Sequence, residues 1–148
     1  MSEFDKLSEV LDARALQRQA EKDKAAAAAA VQKSWAAKMR ARFEEVTKPA
    51  ITDAIADVRE KIQPYGLDLA IPSNFALGNS FNLDFLEAGQ RFRNLTAMLE
   101  VTFRGDVVLR CERLTPPFLE EVKADQISRA SIRDLIAHFL NTVIAFYR

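Results

Sequence analysis

The chain has 148 residues, with 21 basic and 21 acidic side chains and a formal net charge of zero. That length suits one domain with at most an appendage. Balanced charge argues against a dedicated nucleic-acid binder and against an acidic disordered tail. A single cysteine, Cys111, excludes an intramolecular disulfide and a cysteine metal site within one chain.

The opening, MSEFDKLSEV, carries early acids and no apolar segment, so it does not read as a signal peptide. No stretch approaches the roughly 18 apolar residues that span a bilayer. The richest, 135–147, is interrupted by His138, Asn141 and Thr142. A cytoplasmic setting is the expectation.

Ser2, Glu3 and Asp5 read as a helix start, because acids near an N-terminus suit the helix dipole. Phe4, Leu7, Val10, Leu11 and Leu16 are read as close to one helical face. Residues 25–30 are six alanines, and no large apolar side chain lies between Leu16 and Val31. Alanine favours helix strongly but gives it little to bury. Val31, Trp35, Met39, Phe43 and Val46 resume a stripe at spacings of three and four. One helix over 3–47 would be on the order of 60 Å long. Residues 1–47 are therefore expected to be a long helical arm that mediates oligomerisation, and 48–148 an α+β globular domain.

Pro49 predicts a kink or break near 47–49, with Thr47 capping the second helix. Ile51, Ile55, Val58 and Ile62 continue the apolar face, and Pro64, Tyr65 and Gly66 end it. The period then changes to two. Leu67, Leu69 and Ile71 alternate, as do Phe81, Leu83 and Phe85, with a turn at Ala88–Gln90. The clearest strand is 93–104, with a turn at Gly105-Asp106 and a return strand through Val107, Leu109 and Cys111. Pairing Phe103 with Val107 sets Val101 against Leu109, Leu99 against Cys111 and Glu100 against Arg110. Pro116-Pro117 is expected to end the sheet, with one helical turn over 118–123. Ser131 and Asp134 have capping-box spacing, and the final helix buries a wide stripe from Ile132 to Tyr147. The expected fold class is α+β: a long N-terminal helix, an antiparallel sheet of three to four strands, and a C-terminal helix packed on the sheet.

Few residues point to chemistry. His138 is the single histidine, with Asp134 and Asn141 on the same helical face. That spacing serves an exposed helix pair better than a catalytic one. Cys111 reads as a buried small hydrophobe. Arg91-Phe92-Arg93 and Lys38, Arg40, Arg42 and Phe43 mix basic with aromatic residues, but Glu44 and Glu45 come directly after. The pairs Glu120/Glu121 and Asp53/Asp57 bring no further ligands at metal spacing. No Walker loop, dinucleotide glycine pattern, G-x-S-x-G or H-E-x-x-H occurs. No catalytic, cofactor-binding or metal residue is therefore assigned, and no cofactor.

Ala13, Ala20, Ala27, Ser34 and Ala41 lie seven apart and would let a second helix approach. The leading expectation is a non-enzymatic interaction module, adaptor-, scaffold- or chaperone-like, that forms a homodimer or other homo-oligomer through this helix. The alternatives are a small-molecule-binding or enzymatic pocket between sheet and helices, lined by Phe75, Phe81, Phe85 and Phe92, and a nucleic-acid binder using the N-terminal helix.

Overall fold

The fold is described from a computed structural model, for residues 2–147. The chain divides into two compact units, Met1–Lys38 and Met39–Arg148. No helix is long and apolar enough to cross a membrane, among the described residues.

Helix α1 spans Glu3–Arg42. Ser2 caps it: its Oγ accepts from the Asp5 N–H at 3.3 Å and donates to the Asp5 carboxylate at 3.0 Å. None of the 40 residues is buried. Leu16 does not share the face of Phe4, Leu7 and Leu11. Five residues beyond Leu11, at about 3.6 per turn, it points well away from them.

Of the kink or break expected near 47–49, the structure shows a local distortion of the helix and no break. Phe43–Thr47 is a π turn, in which the Lys48 N–H donates to the Phe43 carbonyl five residues back, and α2 continues over Lys48–Ile62. Thr47 and Lys48 both keep right-handed helical dihedrals. A proline ring meets the carbonyl four residues before it in a regular helix, and a π turn at that place opens the ladder. Thr47 is not a cap; its side chain makes no capping bond and the residue is 2 % exposed. The wider turn keeps Phe43, Thr47, Ala50, Ile51, Ala54, Ile55 and Val58 buried on one continuous stripe.

The sheet has six strands rather than three or four: β1 Leu67–Ala70, β2 Ser80–Glu87, β3 Gln90–Arg91, β4 Ala97–Val101, β5 Val107–Cys111 and β6 Phe118–Val122. The order is β1-β2-β4-β5-β6, with β3 beside β2, and every pairing is antiparallel. Strand β4 begins at Ala97 because Arg93 and Asn94 take positive φ. Segment 118–122 is strand, not helical turn. Its backbone pairs along β5, setting Phe118 against Cys111 and Val122 against Val107.

The β4–β5 register differs by two residues from the expected one: Val101 faces Val107 and Leu99 faces Leu109. The connection is not a two-residue turn. The Thr102 N–H donates to the Asp106 carbonyl at 2.9 Å, and the Asp106 N–H to Thr102 Oγ1 at 3.1 Å. The Asp106 carboxylate accepts from the Ala124 N–H at 2.9 Å. Phe103 is left 69 % exposed. A two-residue shift preserves each side chain's face, so Glu100 and Arg110 still meet, diagonally, at 3.5 Å.

Helix α3 spans Arg129–Phe146. Its cap is Ser128, not Ser131: Ser128 Oγ accepts from the Ser131 N–H at 3.0 Å, and Ser131 Oγ accepts from the Ser128 N–H at 2.8 Å. Ile132, Leu135, Ile136, Phe139, Leu140 and Val143 are buried against Leu83, Leu99, Val101, Val107 and Leu109 in one core. The helix packs on α2 and along β6. The opposite sheet face, with Asn82, Glu100 and Arg110, stays partly exposed.

Candidate functional site

Two features present themselves to a partner: the apolar side chains of α1, and a cleft in the α+β unit.

On α1, Phe4, Leu7, Val10 and Leu11 are exposed near the start, and Val31 and Trp35 near the end. Fractional exposures are 78 % for Phe4, 54 % for Leu11 and 47 % for Trp35. The alanine tract separates the two groups. The charge is also divided. Residues 3–12 carry Glu3, Asp5, Glu9 and Asp12 against Lys6, whereas 25–42 carry Lys33, Lys38, Arg40 and Arg42 and no acid.

The cleft of about 460 Å³ opens between α2, α3 and the start of the sheet. Its apolar lining comes from Val58, Ile62, Leu67, Phe85, Leu140 and Ile144. Tyr65, which is 81 % exposed, also lines it, with Lys61, Arg133 and Asn141. Asp57 lines it too, and the Arg129 guanidinium grips its carboxylate, with Nε 2.7 Å from Oδ2. That hydrogen bond holds the Asp57 carboxyl below the usual range. Arg59 does the same for Asp68, at 2.8 Å.

The four phenylalanines expected to line one pocket do not converge. Phe75 stacks on Phe81 at 4.8 Å and Phe85 on Phe92 at 4.9 Å, and of the four only Phe85 reaches the cleft. Phe43, the end of the Trp35–Met39 stripe, is buried edge-on against Phe75.

Of the other candidates, Asp134 also lines the cleft. His138 lies beside Phe118, ring centroids 5.3 Å apart, with Nε2 3.9 Å from the Glu120 carboxylate. Asp134 has Arg133 beside it instead, at 3.9 Å. Cys111 is 1 % exposed, and burial pushes its thiol pKa up, which is unfavourable for a nucleophile. Glu121 pairs with Lys123 at 2.8 Å. Arg93 lies over the Tyr147 ring and Arg91 donates to Thr96, so the Arg91-Phe92-Arg93 segment is taken up in local packing. Arg42 donates to the Ala124 carbonyl. Among the described residues, no group of three His, Cys, Asp or Glu side chains is placed to hold a metal ion.

The sequence suggests a pocket between sheet and helices but points only to Phe85 among the residues of this cleft. Its lining is drawn from 57–67, 85 and 133–144, and no local pattern links those segments. In comparisons with known proteins, no family model, no curated protein and no solved structure matches the chain.

Proposed function

We propose that the chain is a non-enzymatic protein-interaction module that self-associates through α1. One observation carries this reading: a 40-residue helix with no buried residue presents Phe4, Leu7, Val10, Leu11, Val31 and Trp35 to solvent. Helices in proteins gain most of their stability by packing an apolar face. Each large side chain covered is worth about 1.5–3 kcal/mol when fully buried. The alanine tract adds little, so affinity in the micromolar range is expected, consistent with an adaptor or scaffold.

Sedimentation equilibrium of the full chain and of a Leu7→Asp/Leu11→Asp variant tests this. The full chain is needed because Phe43 and Thr47 belong to the core. The native chain should sediment as a concentration-dependent oligomer and the variant as a monomer. A native monomer at all concentrations defeats the proposal.

The cleft supports a second reading, a site for a small molecule with an apolar body and a polar end. Its volume falls within the range of ligand pockets, and the mostly apolar lining carries polar groups of both signs at Asp57, Lys61, Arg133, Asp134 and Asn141. Fluorescence of 1-anilinonaphthalene-8-sulfonate should rise on binding, and Ala137→Phe, which fills the cleft, should abolish the rise. An unchanged signal in that variant would place the dye elsewhere.

A further inference from the structure

We infer that α1 pairs with α1 of a second copy in the antiparallel sense, its acidic start against the other's basic end. This rests on the self-association proposed above and adds its geometry.

The apolar residues at the two ends of α1 occupy the same heptad positions. Phe4, Leu11 and Met39 share one position, being seven and 28 residues apart; Leu7 and Trp35, 28 apart, share the next. On a straight helix the two groups drift apart by ~20° per heptad, and a left-handed supercoil brings them back to one seam. Within that seam the intervening residues are Arg14, Arg18, Glu21, Ala25, Ala28 and Gln32.

Those residues decide the orientation. In a parallel pair each seam residue meets its own copy, so Arg14 faces Arg14, Arg18 faces Arg18 and Glu21 faces Glu21. Three like-charge layers would then lie between the apolar ends, a repulsive arrangement. In an antiparallel pair the two seam positions alternate across the interface. Setting Leu7 against Met39 then places Leu11 against Trp35, Arg14 against Gln32, Arg18 against Ala28 and Glu21 against Ala25. Every charged seam residue meets a neutral one. Two of the three meet an alanine, over which a long side chain can reach outward to water.

The charge division of the helix agrees independently. Antiparallel packing brings the acidic start of one helix level with the basic end of the other, and Glu3 and Lys38 are the members of those two groups that flank the seam. Parallel packing would stack acid on acid and base on base. Complementary potentials of this kind fix register and reject the wrong arrangement.

Spin-label distances in the full chain test the orientation. Labels are placed singly at Lys6→Cys and Lys22→Cys, both exposed sites on α1; Cys111, buried, stays unlabelled in the folded chain, which the native chain checks directly. Antiparallel pairing predicts an intermolecular distance under about 20 Å at position 22 and about 50 Å at position 6. Short distances at both positions would overturn the orientation while leaving self-association intact. No intermolecular distance at either position would overturn the pairing itself.

Discussion

Helices α1 and α3 make opposite use of their side chains. Helix α3 buries six of 18 residues, while α1 buries none of 40. The first is held by tertiary packing against a sheet. The second draws on intrinsic propensity, with six consecutive alanines at its middle. A helix of the second kind leaves its apolar side chains uncovered, and the difference locates the buried core in the α+β unit.

The two helices should differ most in their response to side-chain truncation. Phe139→Ala removes a ring that is 1 % exposed and should cost about 3–5 kcal/mol of unfolding free energy in a denaturant titration. Leu11→Ala, on α1, should change that titration by less than about 0.5 kcal/mol at low protein concentration. Comparable losses from both would mean that α1 is part of the folding core.

A smaller effect is expected inside the α+β unit at Gly78. Its φ is +80°, and a Cβ there would collide with the Phe103 ring. Gly78→Ala should cost about 1–2 kcal/mol. Adding Phe103→Ala should recover only the steric part, because the positive φ remains unfavourable.

The smallest effect is electrostatic. Asp57 and Asp68 have folded pKa values below the ordinary 3.8, each lowered chiefly by an arginine hydrogen bond. Their contribution is therefore fully present above that value and lost as pH falls through the depressed folded values. Asp68→Asn should cost about 0.5 kcal/mol at neutral pH, as expected of an exposed pair. The Asp57→Asn/Asp68→Asn double variant should show a shallower acid limb in its stability–pH profile. An unchanged limb would assign acid unfolding to other carboxylates.

Much of the fold is legible in the sequence where burial follows a period. The stripe from Ile132 to Val143 marks α3, and the alternation through Leu67–Leu69 and Phe81–Phe85 marks β1 and β2. Strand β6 is not legible: FLEEV sets two glutamates side by side, and only pairing along β5 makes it strand. The hairpin register is lost for a related reason. Either register puts the same residues inside, and the hydrogen bonds of Thr102 and Asp106 choose between them. Pro49 reads as a kink or break, and the helix meets it with a π turn just before the proline and continues. Of the candidate sites, the apolar residues of α1 are visible directly, because exposure there results from having nothing nearby in sequence to pack on. The cleft is visible only once α2, α3 and β1 are in place.

Trp35 reports directly on whether α1 is covered by a second copy. It is the chain's single tryptophan and is 47 % exposed on α1. Pairing of α1 with a second copy should cover the indole, so its emission should shift to shorter wavelength as the full chain is concentrated, and Leu7→Asp/Leu11→Asp should abolish the shift. Emission independent of concentration, alongside a constant sedimentation coefficient, would contradict self-association through α1.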